Sequence, residues 1–223
     1  MPQVLIRMTE KKGVNMEKVI NYPNGDVYLG QVVNDKKDGI GAYKYKSGAR
    51  YEGQFQSDLK HGRGLYYFTN GDVLMGIWVN DVLQNKVVYQ FANGDKYEGE
   101  IANNAFHGKG IYRYHNNNAY QGDFANGQLH GKGLFAYAEG GRYVGDWVNG
   151  KREGQGQLDF GDGNRYQGGW LKDQRSGKGL QVFANGDQFA GEWKNNQKNG
   201  QGILLYANGT REEGTWQNDN KMN

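Results

Sequence analysis

Two segments of this chain have the composition of a phosphate-binding loop. They are His107 to Gly110 and His130 to Gly133, and both read HGKG, so that a lysine lies between two glycines. A lysine and the exposed backbone N–H groups of a glycine-rich turn can bind phosphate where a helix begins directly after them. No helical periodicity follows either segment. The two segments therefore do not meet the structural requirement for a phosphate site.

Other candidate catalytic groups are isolated in the sequence. Asp159-Phe160-Gly161 matches the metal-binding tripeptide of protein kinases, but the kinase glycine loop, strand lysine and catalytic loop are missing. Glu98 and Glu100 could act as a carboxylate pair, yet Gln167 and Gly169 replace them at an equivalent place. The four histidines have no cysteine or cluster of acidic residues beside them. We therefore predict no enzymatic activity, no bound metal and no cofactor.

A 23-residue repeat accounts for these segments. Each unit has a leading residue, a glycine two positions later and a bulky apolar residue four positions later; the leading residues are Tyr28, Tyr51, Leu74, Tyr97, Tyr120, Tyr143, Tyr166, Phe189 and Glu212. A glycine pair follows in most units, and His107 and His130 stand just before it, where other units have Asp38, His61, Glu153, Ser176 or Asn199. A position that accepts such different side chains is typical of a surface turn.

Alternation within each unit predicts a β-hairpin. In the second unit, Tyr51, Gly53 and Phe55 share one face of a strand, and the segment from Gly62 to Phe68 alternates in the same way. A ring can lie across the bare glycine of a neighbouring strand. Asn-Gly pairs such as Asn70-Gly71 are typical of two-residue turns with positive φ. We therefore predict an all-β protein, an elongated, curved, single antiparallel β-meander of hairpins with rings on one side.

Three segments carry a family resemblance. They read YEGQFQSDLKHGRGLYYFTNGD, YEGEIANNAFHGKGIYRYHNNN and YVGDWVNGKREGQGQLDFGDGN, and they resemble MORN (membrane occupation and recognition nexus) repeats. The resemblance predicts an N-terminal capping segment with a degenerate repeat at 1–27, eight repeats at 28–211, and a partial ninth repeat with the C-terminus at 212–223. It implies a scaffold or targeting module, often near membranes, the cytoskeleton or cilia.

Composition excludes several classes of protein. The 223 residues include 37 glycines but only 2 prolines, and aromatic residues make up 13%, which is too many for a flexible linker. The absence of cysteine excludes a disulfide framework. The net charge is +3 with both signs interspersed, which argues against nucleic acid as a partner. Because no apolar signal segment or membrane-length apolar stretch is visible, we expect a soluble, cytoplasmic protein.

Two sets of residues are candidates for partner binding. The first set, expected to line a groove, is Phe55, Trp78, Phe124, Trp147, Trp170, Trp193 and Trp216. The second set is apolar and lies on the face opposite the rings, which is polar in most units: Met75, Ile77 and Val88 in the third unit, and Leu180, Val182, Ile203 and Leu205 in the seventh and eighth. Exposed apolar patches of this kind favour association.

Two units depart from the pattern. The third unit has Leu74 for the leading tyrosine, with Asn85 and Val87 for the glycine pair, and we expect the sheet to bend differently there. In the ninth unit, the strand with Trp216 is expected to lack its hairpin mate and to leave an unpaired edge. The C-terminal end is therefore expected to support homodimerisation or the docking of a partner.

Two function classes remain open at this stage. The first is a non-enzymatic scaffold or adaptor that binds protein partners through the groove or the opposite face. It would act in the cytoplasm, in a cytoskeletal, ciliary or membrane-proximal assembly. The alternative is a membrane-associating module that binds phosphoinositide headgroups. Basic and acidic residues are mixed at the hairpin tips, as in NDKKD and NGKRE, which favours the scaffold over the lipid-binding module.

Overall fold

The computed structural model describes residues 16–222, and within that range the only regular elements are β-strands. The chain divides into two compact units, the first ending at Gln84 and the second beginning at Asn85. The first unit contains β1 (Met16–Asn21), β2 (Val27–Val33), β3 (Lys36–Lys44), β4 (Arg50–Gln56), β5 (Leu59–Tyr67) and β6 (Val73–Val79).

The boundary between the units lies inside β7 (Val82–Gln90). The remaining strands of the second unit are β8 (Lys96–Ala102), β9 (Ala105–Arg113), β10 (Ala119–Ala125), β11 (Gln128–Ala136), β12 (Arg142–Val148), β13 (Lys151–Asp159), β14 (Arg165–Leu171), β15 (Gln174–Val182), β16 (Gln188–Lys194), β17 (Gln197–Leu205), β18 (Arg211–Gln217) and β19 (Asn220–Lys221).

Within each unit, every strand pairs antiparallel with the next strand along the chain. In the fourth repeat Tyr97 lies opposite Tyr112 and Gly99 opposite Gly110, and Gly110 lies opposite Gly122 of the following repeat. The predicted all-β antiparallel meander of hairpin repeats is confirmed. Of the predicted N-terminal segment, residues 1–15 lie outside the described range, whereas β1 pairs with β2 like the second strand of a repeat.

The two ends of the hairpins use different turns. Inside each repeat the strands are joined by two residues that both have positive φ, such as Asn34 (51°) and Asp35 (61°). Between repeats the strands are separated by five residues, as from Phe68 to Asp72. In the loop at Asn70-Gly71 only the glycine has positive φ, and its N–H donates to the carbonyl of Phe68. The prediction that Asn-Gly pairs form two-residue turns is therefore wrong for Asn70-Gly71, which belongs to this longer loop. It is confirmed for Asn126-Gly127 and Asn149-Gly150, which join the two strands of their repeats with positive φ at both residues.

Polar side chains join neighbouring hairpins at both ends. At the hairpin tips, Asp173 Oδ1 accepts the N–H of Arg152 at 3.0 Å and Asn196 Oδ1 accepts the N–H of Arg175 at 2.8 Å. At the opposite ends, Asn118 Oδ1 accepts the N–H of Ala138 at 2.8 Å. Each bond satisfies a backbone donor of the neighbouring repeat, so stability is shared along the array.

The first glycine of each pair forms a bulge in the second strand. Gly108, in the first HGKG segment, has a φ of 60°, and the pairing register between β8 and β9 shifts at this point. In the next repeat, Asp123 Oδ2 accepts the N–H of Lys132, just after the bulge, at 3.0 Å. The HGKG segments are therefore bulged strands. The prediction that the histidine position is a surface turn is wrong, because His107 and His130 lie within β9 and β11.

The leading tyrosine lies over the second glycine of the pair. Tyr97 is completely buried, and its hydroxyl donates to the carbonyl of Glu100 at 2.6 Å. A Cβ added at Gly110 would lie 2.6 Å from Tyr97 Cε2, although the φ of Gly110 lies outside the left-handed region. The predicted packing of rings across glycines is confirmed, and it requires glycine for space and not for backbone conformation.

The third repeat replaces both partners of this packing. Leu74 stands at the tyrosine position and Val87 at the glycine position, and both are buried, at 8% and 5% exposure. A Cβ added at Gly76 would meet the side chain of Leu83 instead of a tyrosine hydroxyl. In this repeat the leading residue is smaller than tyrosine, and the residue at the glycine position is larger than glycine.

Gly110→Ala is expected to lower the free energy of unfolding by about 2 to 3 kcal/mol, because the new methyl group overlaps the Tyr97 ring. The double variant Tyr97→Leu, Gly110→Val, which copies the third repeat, is expected to lose less than the sum of its single changes, by about 1 kcal/mol. Urea unfolding measures both effects.

Gly127→Asn is the matched control, because Gly127 has a φ of 80° with nothing within 4 Å of an added Cβ. Asn104 and Asn196 occupy that position in other repeats with positive φ, so this variant is expected to unfold like the wild type. Additive losses in the double variant would contradict the coupling of the two positions.

Candidate partner-binding faces

The large rings predicted to line a groove lie in the core of each unit. All seven are only 3 to 5% exposed: Phe55, Trp78, Phe124, Trp147, Trp170, Trp193 and Trp216. They alternate with the leading tyrosines in edge-to-face contacts, and the Tyr166 ring lies 5.3 Å from both Trp170 and Trp193. A partner on this side, here named the ring face, would therefore meet the residues that cover the rings.

One residue of each second strand covers the ring stack, and these residues are named the cover row. In the first unit they are Lys37, Lys60 and Leu83, and in the second unit Phe106, Leu129, Arg152, Arg175 and Lys198. The Phe106 ring stacks on Tyr97 with centroids 3.8 Å apart, and the Arg175 Cζ atom lies 4.2 Å from the Trp193 centroid. Within the second unit the cover row therefore changes from apolar to cationic along the chain.

The two arginines of the cover row are half-buried and fixed. Arg152 Nε donates to Asp173 Oδ1 at 3.2 Å, and Arg152 Nη2 donates to the Asp173 carbonyl at 2.9 Å. Among residues 16–222, Arg175 donates to two neutral acceptors, which are Gln181 Oε1 at 2.8 Å and the Asn196 carbonyl at 2.6 Å. Burial lowers the pKa of the Arg175 guanidinium from its usual value. Arg175 remains charged at neutral pH, because arginine titrates far above it.

Beside the cover row runs a strip of half-buried rings. In the second unit these ring-strip residues are Tyr89, Phe91, Tyr112, Tyr114, Phe135 and Tyr137. Neighbouring centroids are 4.5 Å apart for Tyr112 and Tyr114, and 5.8 Å apart for Tyr114 and Phe135. The alternation in the sequence places both positions on the ring side, as Tyr66 and Phe68 in the second repeat, but neither is among the predicted partner-binding residues.

A buried carboxylate lies at the end of the ring strip. Asp95 is 7% exposed and accepts hydrogen bonds from the Tyr112 hydroxyl at 2.8 Å and from the backbone N–H of His115 at 2.7 Å. The His115 ring lies against the same carboxylate, with Nδ1 2.9 Å from Oδ1. Burial acts to raise the pKa of Asp95, but these hydrogen bonds outweigh it and lower the pKa to about 2.

On the opposite face, the predicted apolar residues of the seventh and eighth repeats come together. Leu180 and Ile203 flank Ala190 on the intervening strand, and Val182 and Leu205 flank Gln188. We name Leu180, Val182, Ala190, Ile203 and Leu205 the apolar patch. Leu180 and Leu205 are exposed, at 37% and 39%.

The opposite face is less polar than the sequence suggested. Leu65, Val88, Ile111 and Leu134 hold the same repeat position as Leu180 and Ile203. An apolar side chain is therefore the rule at that position, and the expectation of a polar face there needs correction. Val182 and Leu205 are the unusual members of the patch, since most repeats have a polar residue at their position.

The third-repeat candidates divide between the two compact units. Met75 and Ile77 lie on β6 and are 48% and 49% exposed, with Met75 opposite Leu65. Val88 lies on β7 in the second unit, is half-buried and pairs with Glu98. Within the first unit, Met75 therefore lies beside Leu65 on the neighbouring strand. The predicted change of bending at the third repeat remains a prediction.

The strand edge that was expected to be unpaired at the end of the chain is partly paired. Strand β18 pairs with β17 along its length, and the short β19 pairs with its last residues, Trp216 and Gln217. The N–H of Met222 also donates to the Thr215 carbonyl at 2.8 Å. The expectation that this strand lacks a mate is therefore wrong for its final residues.

The groups considered for catalysis are dispersed or paired with cations. Glu98 lies 3.8 Å from Lys96, and Asp159 contacts both Arg142 and Arg165. Between residues 16 and 222, no three histidine or acidic side chains lie close enough together to hold a metal ion. The same part of the chain contains no helix that could span a membrane.

Comparison with known proteins identifies the repeat. The MORN repeat profile matches eight consecutive segments, residues 28–50, 51–73, 75–96, 97–119, 120–142, 143–165, 166–188 and 189–211. No curated protein matches the chain.

Two solved structures show limited similarity. The TCP domain of Drosophila melanogaster SAS-4 (dCPAP), in complex with a proline-rich motif of Ana2 (dSTIL), has 14% identity and a TM-score of 0.44, and the match covers 95% of this chain and 99% of that one. A mutant of the TCP10 domain of Danio rerio CPAP has 11% identity and a TM-score of 0.34, with 89% and 99% covered. No functional conclusion follows from either.

The low pKa of Asp95 predicts a pH-dependent contribution to stability. The unfolded carboxyl has a pKa of about 3.9, so its ionised form stabilises the fold above about pH 4, and this contribution is lost as the pH falls toward 2. The free energies of unfolding of Asp95→Asn and of the wild type are expected to become more similar as the pH is lowered from 7 to 2.5. Urea unfolding at each pH measures them.

Asn118, which holds the equivalent position one repeat later, shows that asparagine is compatible with the loop. Glu98→Gln, which removes an exposed carboxylate from β8, is the control and is expected to change stability little at pH 7. A constant difference between Asp95→Asn and wild type across the pH range would contradict the stabilising role of the ionised carboxylate.

Proposed function

Because this chain belongs to the MORN repeat family, we propose that it is a non-enzymatic scaffold that binds protein partners. The family supports a module for protein interaction or membrane association. The observation that favours a protein partner over a membrane is the ring strip on the ring face of the second unit. Half-buried tyrosine and phenylalanine rings, fixed against one another, provide large contact areas at low entropic cost, and aromatic residues are enriched in protein interfaces.

The apolar patch supplies a second docking surface in this proposal. Its five side chains are adjacent across β15, β16 and β17, and charged or polar residues border it on the neighbouring strands. An apolar centre with a polar rim is the usual anatomy of a protein interface. Homodimerisation through this end of the chain is the simplest use of a self-complementary apolar surface.

The alternative, binding of phosphoinositide headgroups, has less structural support. Several basic residues near the hairpin tips are half-buried and lie along the rings. The Lys37 ammonium lies 4.7 Å from the Tyr43 centroid, and the Arg152 Cζ atom lies 4.3 Å from the Trp170 centroid. These cations lie on the ring face, whereas the hairpin tips themselves mix basic and acidic residues, as in NDKKD and NGKRE, which does not favour headgroup binding at the tips. The proposed setting is the cytoplasm, in an assembly near the cytoskeleton, a cilium or a membrane.

The scaffold function predicts that ring-strip residues are needed for partner binding. In affinity capture from native lysate followed by mass spectrometry, Tyr137→Gln is expected to lose proteins that the wild type retains. Tyr67→Gln, on the opposite face, is the matched control and is expected to retain them. In sedimentation with phosphoinositide vesicles at physiological salt, the wild type is expected to stay in the supernatant. Capture insensitive to Tyr137→Gln, or most of the protein pelleting with vesicles, would contradict the proposal.

The apolar patch predicts a change in solution mass. Light scattering is expected to show a dimer for the wild type and a monomer for Leu180→Asp, Ile203→Asp, because two carboxylates placed in the patch would be desolvated on association. Leu29→Asp, Val144→Asp, which changes two exposed apolar side chains outside the patch, is the matched control and is expected to leave the mass unchanged. A monomeric wild type would remove the homodimer, and unchanged mass and partner capture in the patch variant would remove the patch from the proposal.

A further inference from the structure

The cover row of the second unit is a regularly spaced set of contacts. Its members Phe106, Leu129, Arg152, Arg175 and Lys198 recur once per hairpin on the ring face. Adjacent strands lie about 4.8 Å apart, so successive members are separated by about 9.6 Å in the direction across the strands. Any segment that crosses the strands along this row meets two apolar side chains and then three cations at equal intervals.

The cations keep hydrogen-bonding capacity for a partner. A guanidinium has five N–H donors, and the bonds of Arg152 and Arg175 within the described residues use two on each. Lys198 makes no ion pair in that part of the chain, although its backbone N–H bonds Asp219. Of the nearby carboxylates, Asp173 forms an ion pair with Arg152. Asp219 acts on Arg175 electrostatically, without forming an ion pair with it. The row is thus suited to accept further carboxylates.

The interval of the row selects a conformation for the partner. In a polyproline II helix every third residue faces the same side, and three residues advance about 9.3 Å. In a β-strand the residues on one side are about 6.8 Å apart, which does not match an interval of 9.6 Å. An extended segment in the polyproline II conformation therefore keeps in register with the cover row.

We propose that the ring face of the second unit binds an extended protein segment in the polyproline II conformation that carries two apolar side chains and then three carboxylates, each at every third residue. The apolar pair contacts Phe106 and Leu129, and the carboxylates face Arg152, Arg175 and Lys198. This inference rests on the proposed scaffold function and specifies the chemistry of its partner. Carboxylates suit this row because arginine donors bind them in paired, directional hydrogen bonds.

The spacing can be tested with wild-type protein alone. Two fluorescent 13-residue peptides of equal composition are titrated at physiological salt and followed by anisotropy. LPPLPPEPPEPPE has the third-residue spacing, and LPLPEPEPEPPPP has a second-residue spacing. The first peptide is expected to bind about tenfold more tightly than the second, a difference of about 1.4 kcal/mol. Equal affinities, or no binding by either peptide, would overturn the inference.

A matched pair of protein variants locates the site. Arg152→Gln, Arg175→Gln is expected to weaken binding of the first peptide about tenfold. Arg113→Gln, Lys178→Gln removes the same charge from the opposite face and is expected to leave binding unchanged. Equal effects of the two pairs would overturn the assignment to the cover row. If the first variant does not fold, as judged by thermal unfolding, the comparison of spacings with wild-type protein still decides.

The peptide experiment and the capture experiment fail independently. Capture that depends on Tyr137, together with no spacing preference among the peptides, would reject this inference and leave the scaffold function standing. Loss of both would reject both. Binding of a peptide with lysines in place of the glutamates, as tight as the original, would show that the rings alone provide the contact and would also overturn the proposal.

Discussion

The packing of a tyrosine ring over a pair of glycines is the constraint on which the rest of this structure depends. In the fourth repeat, Tyr97 occupies the volume that Cβ atoms of Gly99 and Gly110 would need, and its hydroxyl reaches a backbone carbonyl of its own strand. A ring held in this way lies flat along the sheet and presents its edge to the next large ring. The alternating stack follows from that orientation, and so does the placement of the cover row above it.

The stack also explains why hydrogen-bonded polar side chains gather at the ends of the hairpins. Rings and glycines fill the ring face in the middle of each strand, so many of the polar side chains that bond neighbouring repeats lie in the turns. Some pairs on the strands, such as Lys109 with Asp123, also join neighbouring repeats. Asp173 and Asn196 at the tips, and Asn118 at the other ends, each satisfy a backbone donor one repeat earlier or later. The core therefore supplies apolar burial, whereas the turns fix the position of each hairpin relative to its neighbour.

Much of this architecture could be predicted from the sequence because it follows from spacing. The hairpins, their antiparallel order and the ring over glycine all derive from alternation within a fixed period. The turn types could not be assigned in this way, since Asn34-Asp35 and Asn70-Gly71 are both compatible with positive φ. The depth of a side chain is also not evident from alternation. Asp95 is a loop carboxylate whose donors, Tyr112 and His115, lie 17 and 20 residues later in the chain. Alternation does not show that Arg175 lies along Trp193, although a basic residue recurs at its repeat position in Lys37, Lys60, Arg152 and Lys198.

The altered third repeat has a consequence for how the chain finds its pairing during folding. Hairpins of nearly equal sequence could exchange places at little cost, since a slip by one whole repeat sets each tyrosine over another glycine pair. Val87 prevents this at one point, because a tyrosine-bearing strand that took it as its hairpin mate would meet a side chain where the ring needs bare backbone. Leu74 and Val87 thus distinguish the correct strand pairing from pairings that are shifted by one or more whole repeats.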